Sequence, residues 1–261
     1  MAYKSFSVSV IIPVHNEGPS IAKVVTDLRQ LSCPVNHEPL IDDIIVCNNG
    51  STDNSVEQAQ SAGANVFNEK KLGYGAACLQ GIKQLSRNTE IEPNLVVFVD
   101  GDYSVKSSEL PTLLDKLIGG HDLVVGNRVT DLQEHAALSP HQRFGNYLAS
   151  SLIQLIWQKN VNDLGPFRAI KYSALMQLDM QDQRFGWTVE MQVKVIQAKM
   201  SYCEVPVSTL RRIGVSKISG TVKGTMGAAV GIFGKIFRLY INQERFLVSL
   251  DKAKLISKKT L

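Results

Sequence analysis

Cysteine is scarce in this chain, and its four cysteines (Cys33, Cys47, Cys78, Cys203) stand singly, with no CxxC pair. Cys47 and Cys78 fall in apolar or helical stretches and read as small core residues, and a reducing cytoplasm fits that usage. Internal repeats and low-complexity segments are absent. The start, MAYKSFSVSVIIPVHNE, has no apolar core ahead of a small-residue cleavage site, so no secretory signal is expected. No apolar run is long and uncharged enough to span a bilayer, which takes about 20 residues. The basic C-terminal region lacks the interleaved aromatics of a base-stacking platform, which leaves a nucleic-acid role without support.

What remains is an ordinary globular composition in 261 residues, 44% hydrophobic and 20% charged, ample for a sizeable core. The net charge of +4 hides a division. From Arg211 onward eleven bases face two acids, so the last fifth carries +9 and residues 1–210 carry −5. An acidic body with a basic tail points the tail toward something anionic.

Short apolar strands alternate with helical patterns. SVSVIIPV (Ser7–Val14), IDDIIVC (Ile41–Cys47), ANVFN, LVVFVD and HDLVVGNR read as strands, and YCEVPV as a later one. Between them lie helical stretches such as IAKVVTDLRQL, AACLQGIKQL and ELPTLLDKLIGG. Continuous apolar strands in this alternation predict an α/β fold, a mainly parallel sheet covered by helices on both faces. Ligands then belong outside the carboxyl ends of the strands. The unusual clusters PVHNE, NNGSTD, GYGAA, DGD and GNR each follow a strand, so they are expected on one edge. Beyond residue 130 come a long apolar helix (Phe144–Gln158), a helix carrying Glu190, a basic loop RRIGVSKISGTVKG and a last apolar helix, MGAAVGIFGKIFRLYI. Lys235 and Arg238 interrupt that last helix, which favours a membrane-surface amphipathic helix over a spanning one.

GYGAAC at Gly73–Cys78 imitates a dinucleotide fingerprint, but such a fingerprint follows the first strand and this one follows the third. DGDYSVKSSE imitates a calcium loop, yet its sixth position is Val105 and its twelfth Pro111, where that loop needs glycine and glutamate. A clamp for Mg²⁺ or Mn²⁺ survives for Asp100 and Asp102: magnesium takes one or two carboxylates and completes its shell with substrate phosphate and water. An ordinary polar loop remains the alternative on these residues alone.

Taken together, SVIIPVHNEGPSI, IIVCNNGSTDNS, KKLGYGAACLQGI, VVFVDGDYS and LVVGNR resemble the family 2 GT-A glycosyltransferases, and most of all their dolichyl-phosphate mannose synthase-like branch. The likeness covers about residues 7–220. It implies a GT-A (Rossmann-like) sheet and a glycosyltransferase domain over 1–210. A basic loop and amphipathic membrane-associating tail would follow over 211–261. It also implies a nucleotide-sugar donor, UDP- or GDP-hexose, a divalent metal and inversion at the anomeric carbon. Pro13, His15 and Glu17 match the segment that contacts base and ribose, and Gly73 belongs to the same donor-binding set. Asn49 stands where the family usually has aspartate, leaving an amide that both donates and accepts. Asp100, Gly101 and Asp102 match the DxD motif, with Asp102 expected as the direct metal ligand and Gly101 keeping the backbone small there.

Arg128 matches an arginine that faces the diphosphate or an acceptor phosphate, and Arg211 and Lys217 fall in a segment placed near that phosphate. Glu190 resembles the acid that other branches use as base, with a structural role as the alternative. A lipid phosphate acceptor would need no protein base, whereas a hydroxyl would. The expected protein is a cytoplasmic, peripherally membrane-associated hexosyltransferase acting on a lipid such as polyprenyl phosphate. A soluble transferase or a non-catalytic membrane scaffold are the alternatives.

Overall fold

The computed structural model describes residues 6–33, 37–85, 87, 92–129, 140–214 and 222–259. Seven strands form one sheet in the order β3-β2-β1-β4-β6-β5-β7. In chain order they are β1 (Val8–Val14), β2 (Asp43–Asn48), β3 (Asn65–Asn68), β4 (Leu95–Phe98), β5 (Leu123–Asn127), β6 (Arg168–Lys171) and β7 (Tyr202–Pro206). All neighbours pair in parallel except β6, which runs antiparallel to both β4 and β5.

Every residue of β1 and β4 is buried, as expected of strands covered on both faces. One face carries α1 (Gly18–Arg29), α2 (Ser55–Ser61) and α4 (Leu110–Ile118). Leu110, Leu113, Leu114 and Leu117 form the buried stripe of α4, at the spacing a helix needs to face one surface. The opposite face is covered by α3 (Tyr74–Leu85), α6 (Tyr172–Leu178) and α7 (Trp187–Gln197), around Phe98 and Trp187, whose rings meet edge to face at 5.7 Å.

Helix α7 is buried almost all round, and its neighbours account for this. Trp187, Met191 and Val195 face the sheet. Val189, Val193 and Ile196 face a third cluster built with α5 (Pro140–Trp157) and α8 (Val222–Ile241). Ile236 of α8 is completely buried there, worth about 2 kcal/mol of apolar burial. The inner face of α8 is therefore part of the core, and α9 (Gln243–Lys259) folds back beside it.

The strand β6 is absent from the sequence expectation. It has four residues, and one of them, Arg168, is fully buried in the sheet, so the run FRAI carries no continuous apolar signal. Its guanidinium donates to the carbonyls of Thr188 and Gly165. Burial lowers its pKa from the ordinary arginine value, with Tyr74, Tyr202 and Asp163 opposing that shift.

Candidate active site

The carboxyl ends of β1, β2 and β4 open onto a cleft of about 280 Å³. Pro13, His15, Glu17, Asn49, Gly73, Asp100, Gly101 and Asp102 all line it. Four clusters far apart in sequence thus meet at one sheet edge. Val14, Leu72, Tyr74, Ala77, Phe185 and Arg212 also line it and were not singled out by sequence reasoning.

Each loop is held by its own polar bonds. After β1 the chain turns through Asn16 in the left-handed region (φ 55°), and the Asn16 side chain accepts the Thr52 N–H at 2.7 Å. Asn tolerates that backbone because its short amide can bond locally. Ser55 Oγ accepts the Glu17 N–H, and His15 Nδ1 lies 2.8 Å from the Asn49 carbonyl. Asn49 uses its amide in both senses: Nδ2 donates to the carbonyls of Glu69 (3.2 Å) and Lys71 (2.8 Å), and Oδ1 accepts the Gly73 N–H at 2.7 Å. An aspartate could make only the last of these.

The two glycines of GYG serve close packing. A Cβ on Gly73 would sit 2.1 Å from the Gln183 carbonyl oxygen, and one on Gly75 would sit 2.0 Å from that of Asp182. The first amides of α3 are consumed by the same segment, Gly75 N–H donating to Arg184 O at 3.2 Å and Ala76 N–H to Gln183 O at 3.0 Å. A helix start ordinarily leaves such donors free for an anion; here both are closed off by protein.

Asp100 and Asp102 follow β4. Tyr74 donates its hydroxyl to Asp100 at 3.1 Å, while Asp102 Oδ1 accepts from Ser104 N–H (3.0 Å) and Oγ (2.6 Å). Burial, together with the neighbouring Asp102 charge, pushes the Asp100 carboxyl up to about 7. Burial and the Asp100 charge likewise raise the Tyr74 phenol well above its usual value. Gly101 earns its small size against the protein itself: an added Cβ would meet Val14 Cγ2 at 3.0 Å, and its carbonyl accepts Ser20 Oγ at 2.7 Å. Tyr103 then takes φ 63°, unusual for a bulky residue, with its hydroxyl on Asp27 at 2.6 Å and Lys23 over its ring.

Arg212 reaches this pair from the other end of the chain. Leu210 N–H donates to Ser104 O and Ile213 N–H to Asp102 O, which lays residues 210–213 along the DGDYS turn. Its guanidinium lies 3.2 Å from Asp102 Oδ2 and 3.4 Å from Glu17 Oε1. Arg211, expected here from sequence, is exposed and is not among the cleft residues. The only signal for its neighbour was the RR dipeptide. Lys217 lies outside the described residues.

Arg128 and Glu190 stand off the cleft. Arg128 forks onto the fully buried Asp163 with two 2.8 Å bonds, and its backbone N–H donates to the same carboxylate. Burial opposes its charge, but Asp163, with Asp100 and Asp102 beyond, raises its pKa above the ordinary value. β6, inserted between β4 and β5, separates its strand from the DxD strand. Glu190, 2% exposed, accepts the N–H groups of Gln181 and Asp182 and pairs with Lys194 at 3.0 Å; it lines a second cavity of about 800 Å³ beneath α8 and α9.

Comparison with known proteins accounts for this arrangement. The family model for glycosyl transferase family 2 matches residues 9–179. The chain belongs to glycosyl transferase family 2. An uncharacterized glycosyltransferase of Mycobacterium bovis is 31% identical over 221 residues, covering 84% of this chain and 93% of that protein. A dolichyl-phosphate hexose transferase of Haloferax volcanii is 25% identical, covering 88% of this chain and 92% of the other. Among solved structures, glucosyl-3-phosphoglycerate synthase from Mycobacterium tuberculosis, crystallised with Mn²⁺, UDP and glucosyl-3-phosphoglycerate, superposes with a TM-score of 0.69 at 18% identity. That match covers 90% of this chain and 81% of that one. It establishes the GT-A fold. The protein is accordingly a glycosyltransferase with a mostly parallel α/β sheet.

Proposed function

We propose that this glycosyltransferase takes a hexose from a nucleotide-diphosphate sugar, UDP- or GDP-linked, and delivers it with inversion to a polyprenyl-type phosphate at a membrane surface. The observation that carries the reading is the pair formed by half-buried Asp100 and buried Asp102, facing Arg212 in the cleft. The two carboxylates fit one divalent ion, Mg²⁺ or Mn²⁺. Burial and the Asp102 charge raise the Asp100 carboxyl to about 7 against the opposing pull of Arg128 and Arg212, and among the described residues only its Oδ1 accepts a hydrogen bond, from Tyr74. No cluster of three or more His, Cys, Asp or Glu suited to a metal occurs among the described residues, so water and the diphosphate would supply the remaining ligands. When bound, such an ion neutralises charge on the departing diphosphate.

The chain's own residues have separate tasks in this scheme. Pro13, His15, Glu17, Asn49 and Gly73 wall the nucleotide end. Arg212, released from Glu17 and Asp102, offers a planar fork to phosphate oxygens. Arg128, pinned by Asp163, adds fixed positive charge behind the pair, with Arg211 and Lys217 contributing at the acceptor side. Among the described residues, Glu17, Asp100 and Asp102 are the carboxylates that line the cleft, and this scheme gives all three tasks other than proton abstraction. An acceptor whose attacking oxygen is already anionic, such as a phosphate, suits a site built this way. Glu190, with its carboxylate engaged by backbone amides and lysine, is assigned a structural role rather than that of base.

The lipid side rests on an exposed apolar stripe. Val230, Phe237 and Ile241 share one face of α8, at 72%, 64% and 62% exposure, and Phe144, Leu148 and Leu155 share one face of the adjoining α5. Arg238 and Arg245 stand exposed nearby, suited to anionic headgroups. Residues 1–210 would form the catalytic unit, and residues 211–261 would supply Arg212 and the membrane-facing helices. A second reading, transfer to a water-soluble phosphorylated acceptor, draws on the likeness to the synthase crystallised with glucosyl-3-phosphoglycerate.

The test is a donor screen by thermal shift with Mn²⁺, followed by transfer from the stabilising sugar nucleotide to polyprenyl phosphate or to soluble phosphates. Metal-dependent stabilisation lost in Asp100→Asn and Asp102→Asn, with product extracting into organic solvent, supports the proposal. Stabilisation by no nucleotide sugar would sink it, and a water-soluble product would favour the second reading.

A further inference from the structure

The segment Gln181–Gly186 joins the two cavities. Phe185 forms part of the donor cleft, and Gln183 and Arg184 give their carbonyls to the first amides of α3, next to Gly73 and Tyr74 of the cleft wall. The other side of the segment is tied down by charge. Glu190 Oε2 accepts the Gln181 N–H at 3.2 Å and the Asp182 N–H at 2.6 Å. Lys235, on α8, reaches Asp182 Oδ2 at 2.9 Å and Glu190 Oε1 at 3.6 Å. Lys194 holds Glu190 Oε1 at 3.0 Å and donates to the Asp179 carbonyl at 2.6 Å. Side chains of Glu190, Lys194, Lys235 and Asp182 are 2%, 8%, 10% and 15% exposed, so water does little to replace a lost partner. The packing is tight as well: a Cβ on Gly186 would meet Asp182 Oδ2 at 2.6 Å and Lys235 Cβ at 3.0 Å.

We propose that Lys235 and Glu190 are positioning residues for the donor site. Through Asp182 they fix the 181–186 segment, so that the seating of α8 against α7 sets how tightly the cleft holds its nucleotide sugar. Two acids and two lysines balance in the network. Removing Lys235 leaves Lys194 to Glu190 and takes from Asp182 its salt-bridge partner among the described residues, and the segment that Asp182 anchors loosens at its cleft side. Phe185 and the start of α3 then lose their fixed position, a change felt in ground-state binding before chemistry. The proposal rests on the donor reading of the cleft given above.

The experiment compares the full-length chain with Lys235→Met, Lys235→Arg and Asp182→Asn. Lys235→Met is expected to raise the KM for the donor roughly tenfold while kcat stays within about twofold, the pattern of lost uniform binding. Lys235→Arg restores most of the affinity, because it keeps the charge. Asp182→Asn, the gentler change, moves KM in the same direction, and the double variant with Lys235→Met falls short of the sum of the two. Hydrogen exchange supplies the arm that does not depend on any donor: in Lys235→Met the Gly75 and Ala76 amides exchange faster, while those of β1 and β4 keep their protection. Unchanged exchange at Gly75 and Ala76 overturns the proposal, as does faster exchange with an unmoved donor KM. A wild-type chain that turns over no nucleotide sugar overturns the donor reading instead, and exchange still decides whether Lys235 holds the segment.

Discussion

The side-chain oxygen of Asn49 accepts the Gly73 N–H at 2.7 Å, across the mouth of the cleft from Asp100 and Asp102. With its NH₂ on the Glu69 and Lys71 carbonyls, one amide folds the whole 69–73 segment against β2. The asparagine in NNGS is thereby a structural requirement of this chain.

Asn49→Asp is expected to destabilise the protein. It keeps the acceptor for Gly73 but removes both donors and sets a carboxylate beside two carbonyl oxygens. Leaving such groups unpaired costs about 1–3 kcal/mol, or a fall of roughly 2–8 °C in Tm for a chain of this size. Calorimetry of the two proteins measures it directly; an unchanged or raised Tm would contradict the assignment.

Arg212 and Arg211 separate cleanly by position. Arg212→Ala should lower transfer about 10²-fold, the scale of losing one preorganised charge donor, with a modest stability change because its side chain is 30% exposed. Arg212→Lys should recover only part, since one ammonium cannot fork between two partners. Arg211→Ala should cost less, about threefold, because an exposed charge contributing only at the acceptor side is worth about 0.7 kcal/mol. Initial rates for the three variants under saturating donor decide the matter, and equal losses at 211 and 212 would refute the geometric distinction.

Much of this was legible before any coordinates. The parallel strands announce themselves as apolar runs, and the motif clusters at their ends converge because strand ends in such a sheet share an edge. Two parts were hidden for physical reasons. β6 is short and carries Arg168 into the core, so neither length nor hydropathy marks it. Its insertion puts one strand between β4 and the strand that carries Arg128, although GNR sits at a strand end like the others and the Arg128 charge still acts on Asp100. Glu190 sits in a helix buried on both sides, a burial that depends on α8 arriving from much later in the chain. Sequence spacing carries no record of that contact.

Asp100 makes the stability of the metal-free protein depend on pH. Its carboxyl is raised to about 7 by burial and by Asp102, above the unfolded value of about 3.9. The folded state therefore keeps a proton that the unfolded chain releases, and stability falls as pH rises from about 4 to about 7. Asp100→Asn should flatten this slope in chelator-treated samples. Urea melts at several pH values across that window provide the measurement, and parallel slopes for variant and wild type would count against the shift.

The apolar stripe on α8 makes the membrane assignment testable without activity. Phe237 and Ile241 are 64% and 62% exposed, so replacing both by aspartate removes no core packing and leaves the fold intact. Each apolar side chain that inserts is worth about 1.5–3 kcal/mol, and every 1.4 kcal/mol is about tenfold in partitioning. The double variant Phe237→Asp, Ile241→Asp should therefore lose at least about 100-fold in affinity for vesicles rich in anionic lipid. Raising salt should weaken the wild type as well, by screening Arg238 and Arg245 from the headgroups. Co-flotation with vesicles at low and high salt reads both effects. A wild type that never floats, or a double variant that floats equally well, would move the acceptor from the membrane into solution.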